Sequence, residues 1–221
     1  MDTRKLLGEA IGTFILVGMG SMAILAVGAV PGSPLLVVVP IGFGLGLMAA
    51  IAVTGHASSW HYNPAVTLGA LLDGRIDLMG AIGYVVAQVL GAVGASALIL
   101  ALSDQGVVAG TKNMPGVSDG GAFLVEVVLT AIFVAVILTV TKKDAGHAFL
   151  VIPLTLLTIH AIGIPFSGAS VNPARALGPA IVSMDFAKIW IYLTAPFVGA
   201  VVGWLGFRTL SAEEPERRSA T

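Results

Sequence analysis

Six long apolar runs, each almost free of charge, restrict the fold of this chain more than any other feature of its sequence. A helix needs about 20 mainly apolar residues to cross the hydrocarbon core of a bilayer. The runs are continuous, whereas the strands of a membrane β-barrel alternate apolar and polar residues. We therefore expect an all-α polytopic membrane protein with six transmembrane helices. The runs are residues 6–30, 35–53, 78–102, 122–140, 147–164 and 189–207.

The composition excludes several functional classes. Charged residues make up 10% of the chain, while a typical soluble domain has about 25%, so a soluble globular protein is excluded. A net charge of -1 leaves no basic face for a nucleic acid. The chain contains no cysteine, which excludes disulfides, thiolate metal sites and a cysteine nucleophile. The partner that the composition implies is the lipid bilayer.

Basic residues between the apolar runs predict the orientation, because lysine and arginine are retained on the cytoplasmic side of a membrane. An even number of spans puts both termini on one side. That side carries eight basic residues and the other side two. Both termini are therefore predicted to be cytoplasmic, and residues 211–221 to form a solvated tail. The eight are Arg4, Lys5, Arg75, Lys142, Lys143, Arg208, Arg217 and Arg218, and the two are Lys112 and Lys188.

The chain contains an internal repeat. The motif that begins at Glu9 is similar to the one that begins at Glu126, and each is followed by two further spans and an Asn-Pro-Ala tripeptide. Because each half has three spans, the halves insert in opposite directions, as in many membrane transport proteins. This inverted repeat predicts a first half over 1–102, an extracellular linker over 103–121 and a second half over 122–210.

Both Asn-Pro-Ala tripeptides predict the start of a helix, because asparagine is a good N-cap and proline is favoured at the first helical position. Asp73-Gly74 ends the first helix and residues 183–188 end the second, so both are too short to cross a bilayer. We expect two re-entrant half-helices whose N-termini meet near the midplane, where the small alanines allow close approach. The tripeptides are Asn63, Pro64 and Ala65, and Asn172, Pro173 and Ala174.

Two facing helix N-termini have an electrostatic consequence. Each carries roughly half a positive charge, so together they repel cations, including hydronium. Asn63 and Asn172 offer amide N–H donors to the oxygen of a passing water. A water held in this way turns both hydrogens outwards, which interrupts a proton wire. The extended segments 55–62 and 163–171 are predicted to add a ladder of backbone carbonyl acceptors.

At these motifs the chain resembles the aquaporin (major intrinsic protein) family, over residues from Glu9 to about Phe207. The resemblance implies six tilted helices plus two half-helices, with one pore per subunit and a homotetrameric assembly. It implies a passive channel for water that excludes protons and ions. The expected location is the cell membrane, and no enzymatic activity, cofactor or metal is expected.

The same resemblance implies a four-residue constriction near the outer mouth. One position lies 20 residues before Asn63. The other three lie 12 residues before, 3 residues before and 3 residues after Asn172. They are Phe43, His160, Ala169 and Arg175. An aromatic, a histidine, a small residue and an arginine are similar to the water-selective branch of the family.

Other positions bear on the choice between water and a larger solute. Glycerol-conducting members usually have glycine where His160 stands, and an aspartate where this chain has Ala176, which favours water. Ser59 and Trp60 replace a Gly-Ala pair that is common before the first tripeptide, and Leu193 stands where water channels often have tryptophan. These departures leave a channel for glycerol or another small neutral solute as the alternative.

Glu9 and Glu126 lie within apolar runs, where ionisable residues often form proton relays. A proton-coupled small-solute transporter that uses both carboxylates is therefore a further alternative. In a channel, each carboxylate would instead accept hydrogen bonds from loop N–H groups and keep the extended segments rigid. The family resemblance implies this loop-supporting role.

Overall fold

Nine helices form the regular structure of the computed structural model, which describes residues 2–143 and 146–211. Within those ranges there is no strand, so the predicted all-α class is confirmed. The predicted tail lies outside the described residues except for Ser211. The helices are α1 (Thr3–Ala29), α2 (Leu35–Thr54), α3 (Pro64–Leu72), α4 (Leu78–Leu102), α5 (Gln105–Ala109), α6 (Asp119–Lys143), α7 (Ala148–Ser167), α8 (Pro173–Ser183) and α9 (Ile189–Ser211).

The long helices α1, α2, α4, α6, α7 and α9 are apolar enough to cross a membrane, which confirms the six predicted spans. They form two groups of three. α1 packs against α2 and α4, and in the same pattern α6 packs against α7 and α9, while α2 and α7 join the halves. This is the predicted inverted repeat. We call the face that holds both ends of the described chain the terminal face, and the opposite face, which holds residues 103–118, the linker face.

Small residues allow the long helices to approach closely. A methyl group on Gly91 of α4 would overlap the backbone carbonyl of Ala10 in α1, and one on Gly203 of α9 would overlap that of Ala131 in α6. Such small-residue contacts are typical of helix packing in membranes. The outer surface exposes large apolar side chains, among them Leu90, which is 63% exposed. This surface fits a lipid environment.

The short helices α3 and α8 are the two predicted half-helices. They contain 9 and 11 residues, so they are about 14 and about 17 Å long at 1.5 Å per residue. The hydrocarbon core is about 30 Å thick, so neither helix can span it. α3 packs against α9, α8 packs against α4, and α3 and α8 touch each other. Each therefore crosses into the other half of the molecule and holds the halves together.

The linker is more ordered than a polar connection need be. It contains α5, whose N-cap Asp104 accepts a hydrogen bond from the Val107 N–H at 3.0 Å, and α6 begins at Asp119, three residues before the predicted second repeat. Lys112 forms an ion pair with Asp185, on the loop after α8. The Lys112 ammonium lowers the pKa of the Asp185 carboxyl. The linker is therefore anchored to the second half-helix.

Candidate functional site

The two asparagines cap the half-helices. The Asn63 Oδ1 accepts a hydrogen bond from the Ala65 N–H at 2.8 Å. The Asn172 Oδ1 accepts from the Ala174 N–H at 3.0 Å and from the Arg175 N–H at 3.3 Å. Proline occupies the first helical position in both cases. The local chemistry expected of the tripeptides is therefore present, and both N-termini are directed into the interior.

The same asparagines also join the two halves. The Asn63 Nδ2 donates to the Val171 carbonyl at 2.8 Å, and the Asn172 Nδ2 donates to the Tyr62 carbonyl at 2.9 Å. Each amide therefore uses its oxygen on its own helix and one N–H on the opposite loop. An asparagine amide has two N–H donors, so one N–H of each side chain remains for the predicted hydrogen bond to water.

The loops before the asparagines share an unusual backbone. Trp60 and Tyr62 have φ angles of 63° and 47°, and Ala169 and Val171 have φ angles of 49° and 44°. These residues lie three and one positions before each asparagine. A non-glycine residue in the left-handed region costs about 1–3 kcal/mol and persists only where its surroundings enforce it. The inverted repeat thus extends to the strained backbone of both loops.

The second loop is shorter than the sequence predicted. The expected extended segment was 163–171, but α7 continues to Ser167 and ends at Gly168, whose φ angle is 79°. Glycine is the usual residue for such a left-handed helix end. The linker holds this turn, because the Asn113 Nδ2 donates to the Gly168 carbonyl at 2.8 Å and the Gly116 N–H donates to the Phe166 carbonyl at 2.9 Å. The non-helical loop before Asn172 is therefore limited to residues 168–171.

Glu9 lies at the back of the first loop, where its side chain is fully buried. Its carboxylate accepts hydrogen bonds from the His61 N–H at 3.1 Å and the Tyr62 N–H at 2.7 Å. The Gln88 Nε2 also donates to it at 2.8 Å, and to the Thr67 Oγ1 in α3 at 2.9 Å. One carboxylate therefore connects α1, the first loop and α4.

Glu126 repeats this arrangement in the second half and is also fully buried. Its carboxylate accepts from the Ser170 N–H at 2.8 Å, the Val171 N–H at 2.7 Å and the Ser167 hydroxyl at 2.7 Å. The Tyr192 hydroxyl donates to the Ser167 carbonyl at 2.8 Å. The sequence reasoning missed Gln88, Ser167 and Tyr192, although Gln88 was visible as an isolated amide within an apolar run.

Three of the four residues predicted to form the constriction lie together. The rings of Phe43 and His160 are stacked, with centroids 4.3 Å apart and an angle of 16° between their planes. The Arg175 guanidinium lies 5.0 Å from the centroid of the Phe43 ring. Ala169 is fully buried beside Gly163 and does not line the cavity that the other three share.

Several buried nitrogen atoms in this cluster have no hydrogen-bond partner among the described residues. They are the His160 Nε2 and the Arg175 Nε and Nη1, while the His160 Nδ1 bonds to the Leu156 carbonyl at 2.9 Å. A buried polar group without a partner costs about 1–3 kcal/mol. The cluster therefore suits a small molecule that supplies hydrogen bonds.

The cavity between these groups is narrow. We call it the central cavity; it is lined by Phe43, His160 and Arg175 and by both Asn63 and Asn172, and it leaves about 20 Å³ for the centre of a water molecule. About 10–15 Å³ of such space is enough for one water. A wider cavity of about 220 Å³, the terminal-side cavity, lies toward the terminal face. The two adjoin, because His61 and Ile137 line both.

Comparisons with known proteins agree with this architecture. Residues 1–207 match the family model described as major intrinsic protein. The chain is 39% identical to aquaporin Z of Rhodopseudomonas palustris, over 96% of this chain and 95% of that protein. It is 37% identical to the glycerol uptake facilitator protein-like 6 of Lactiplantibacillus plantarum, over 96% of this chain and 100% of that protein.

A solved structure supports the same assignment. The aquaglyceroporin from Plasmodium falciparum matches with a TM-score of 0.84 and 27% identity, over 93% of this chain and 95% of that chain. The family match covers almost the whole described chain, including both half-helices. The chain therefore belongs to the major intrinsic protein family, whose members are membrane channels and not enzymes.

Proposed function

We propose that this protein is a passive channel for water that excludes protons and other ions. The observation that carries the proposal is the central cavity, where Phe43, His160 and Arg175 narrow the space to about the size of one water. We assign these three residues to the selectivity filter, with Ala169 as a fourth position whose side chain lies behind the wall of the cavity. The two Asn-Pro-Ala tripeptides form the centre of the pore.

Size and polarity both favour water over glycerol at the filter. The stacked rings of Phe43 and His160 must separate before a solute with a three-carbon backbone can enter. Water fits the available space and matches the free nitrogen atoms of His160 and Arg175. A larger polyol would lose several hydrogen bonds to bulk water, and the few polar groups of the filter could replace only some of them, which is costly.

Proton exclusion follows from charge and from water orientation. The N-termini of α3 and α8 each contribute roughly half a positive charge at the centre of the pore. The remaining amide N–H groups of Asn63 and Asn172 hold a water by its oxygen, so that it cannot accept a proton from its neighbour. The Arg175 guanidinium adds a full positive charge nearer to the linker face.

We assign Glu9 and Glu126 to loop support and not to proton transfer. Neither lines the central or the terminal-side cavity. Each already accepts two backbone N–H groups from a loop, so its oxygen atoms are occupied in holding that loop. A relay would instead need a carboxylate that faces the permeation path.

The alternative permeant is glycerol or another small neutral solute. The relatives named above include proteins called a glycerol uptake facilitator-like protein and an aquaglyceroporin. The filter cluster argues for water as the main permeant.

We further propose that the channel is a homotetramer in the cell membrane, as the family resemblance implies. Both termini lie in the cytoplasm, because basic residues such as Arg4, Lys5 and Arg75 lie toward the terminal face.

Stopped-flow light scattering on purified protein in phosphatidylcholine vesicles tests the proposal. Shrinkage after a sucrose shock reports water flux, and re-swelling after a glycerol shock reports glycerol entry. We expect fast water flux, glycerol entry equal to that of empty vesicles, and no dependence of either on an imposed pH gradient. Glycerol entry as fast as water flow would refute water selectivity, and a dependence on the pH gradient would support the transporter.

A further inference from the structure

We propose that Trp60 forms a second narrow point in the pore, on the terminal side of Asn63, which excludes solutes that pass the filter. This inference rests on the proposed function, because it concerns the same permeation path. It assigns a specificity-determining role to a residue outside the four filter positions.

The indole of Trp60 is held in place at both ends. Its backbone has a φ angle of 63°, within the strained loop that Glu9 holds. At the tip of the side chain, the indole Nε1 donates to the Gly55 carbonyl at 2.7 Å. A methyl group on Gly55 would press against the indole ring. The ring therefore has a defined position and presents an apolar surface, since its one N–H is already used.

The ring lies where the path is narrow. Trp60 lines the central cavity of about 20 Å³ together with Asn63 and Phe133, and it does not line the terminal-side cavity of about 220 Å³. The next residue, His61, lines both. Trp60 therefore belongs to the narrow part of the path, and the wider space begins at residues such as His61 that line both cavities.

The inverted repeat shows that the backbone does not need this side chain. Ala169 occupies the equivalent position in the second loop, three residues before its asparagine, and has a similar φ angle of 49°. A left-handed residue at these positions favours glycine, and a methyl group is sufficient at Ala169. The two loops therefore share a backbone conformation, but only the first carries a large side chain at this position. Because that indole lies in the pore wall, its function is to select solutes.

Four proteins in vesicles test the role of Trp60: Trp60→Gly, the double variant Phe43→Ala/His160→Ala, and this double variant combined with either Trp60→Gly or Trp204→Ala. Glycine suits the φ angle at position 60, so this change preserves the loop. Trp204 packs against the same apolar core without lining the central cavity, and it is the matched control. Glycerol entry is measured relative to water flux in the same vesicles.

We expect Trp60→Gly alone to exclude glycerol, because the filter is intact. The double variant should admit glycerol slowly, and adding Trp60→Gly should raise entry at least about tenfold, which corresponds to a barrier lower by about 1.4 kcal/mol. Adding Trp204→Ala should not raise it. Equal glycerol entry in the double variant with and without Trp60→Gly would overturn the inference.

Two further results keep the test decisive. If Trp60→Gly reduces the yield of folded protein, Trp60→Ala replaces it, since alanine is tolerated at the equivalent position 169. Fast glycerol entry through the unchanged protein would refute the proposed water selectivity, and Trp60 would then not be a barrier to glycerol. A water-selective protein whose triple variant matches the double variant would refute the role of Trp60 alone.

Discussion

Replacing Glu126 by glutamine is the most direct test of how the strained loops are held. The carboxylate accepts hydrogen bonds from the Ser170 and Val171 N–H groups and from the Ser167 hydroxyl. Glutamine has nearly the same shape, but one of its two terminal atoms is a donor. At least one of the three buried donors must therefore lose its acceptor, and the two left-handed residues of the loop that are not glycine, Ala169 and Val171, lose part of their support.

The expected effect follows from these contacts. A hydrogen bond to a charged group contributes about 1.5–3 kcal/mol, and an unpaired buried donor costs about 1–3 kcal/mol. Since the two terms overlap, we expect Glu126→Gln to lower the free energy of unfolding by about 2–4 kcal/mol. For a chain of this size that corresponds to a fall of about 5–15 °C in Tm. Thermal unfolding in detergent, followed by tryptophan fluorescence, measures it.

The same helix supplies a control. Thr130 in α6 is fully buried, and its Oγ1 has no hydrogen-bond partner within the part of the chain that the structure describes. Thr130→Val removes that hydroxyl at nearly constant volume and should leave the Tm unchanged or slightly higher. If Glu126→Gln unfolds at the wild-type temperature and instead abolishes a proton-driven uptake of solute, Glu126 is a relay and the loop-supporting role is refuted.

Three other outcomes are expected. Arg175→Val removes a positive charge from the pore, so proton leak, measured with a pH-sensitive dye in vesicles, should increase. The increase should be modest because the helix N-termini still repel cations, and a large leak would mean that the helix dipoles contribute little. The unmodified protein should resist mercurials, since it has no cysteine. Ala169→Cys tests the fourth filter position, whose alanine does not line the central cavity: water flux that mercurials block and a reducing thiol restores would place this position in the pore, and an insensitive variant would remove it from the pore. Lys112 lowers the pKa of the Asp185 carboxyl in the folded protein, so the ion pair should stabilise the protein at neutral pH. This stabilisation should be lost as the pH falls through that pKa. Asp185→Asn should therefore reduce the pH dependence of Tm in the acid range, and an unchanged dependence would contradict this.

The sequence was sufficient for the architecture because the bilayer restricts the choice of structure. An apolar run of this length must form a helix in lipid, since every backbone polar group has to find a partner within it. The predicted run 78–102 coincides with α4, whereas the run 147–164 stops three residues before the end of α7 at Ser167. Helix ends lie near the membrane surface, where hydropathy alone no longer determines the boundary. The helix α5 was missed because it has only five residues and lies in the linker, outside the apolar runs.

The site was predictable only in part, because its support depends on distant contacts. The family resemblance implied Phe43, His160 and Arg175 through their spacing from the tripeptides, and the structure brings these three together. Gln88 reaches Glu9 across 79 positions of the sequence, and no local pattern indicates that contact. The cross-connection of Asn63 to Val171 is likewise invisible until both half-helices are placed in one interior.

The two halves are symmetric in what holds the loops and asymmetric in what faces the permeant. Glu9 and Glu126 bind equivalent N–H groups, and Asn63 and Asn172 bind equivalent carbonyls, because the same strained backbone needs the same partners in both halves. The cavity wall is under no such requirement, and selection by size needs bulk at a few points only. A change in a symmetric pair should therefore act first on folding, whereas a change in the wall should act first on which solute passes.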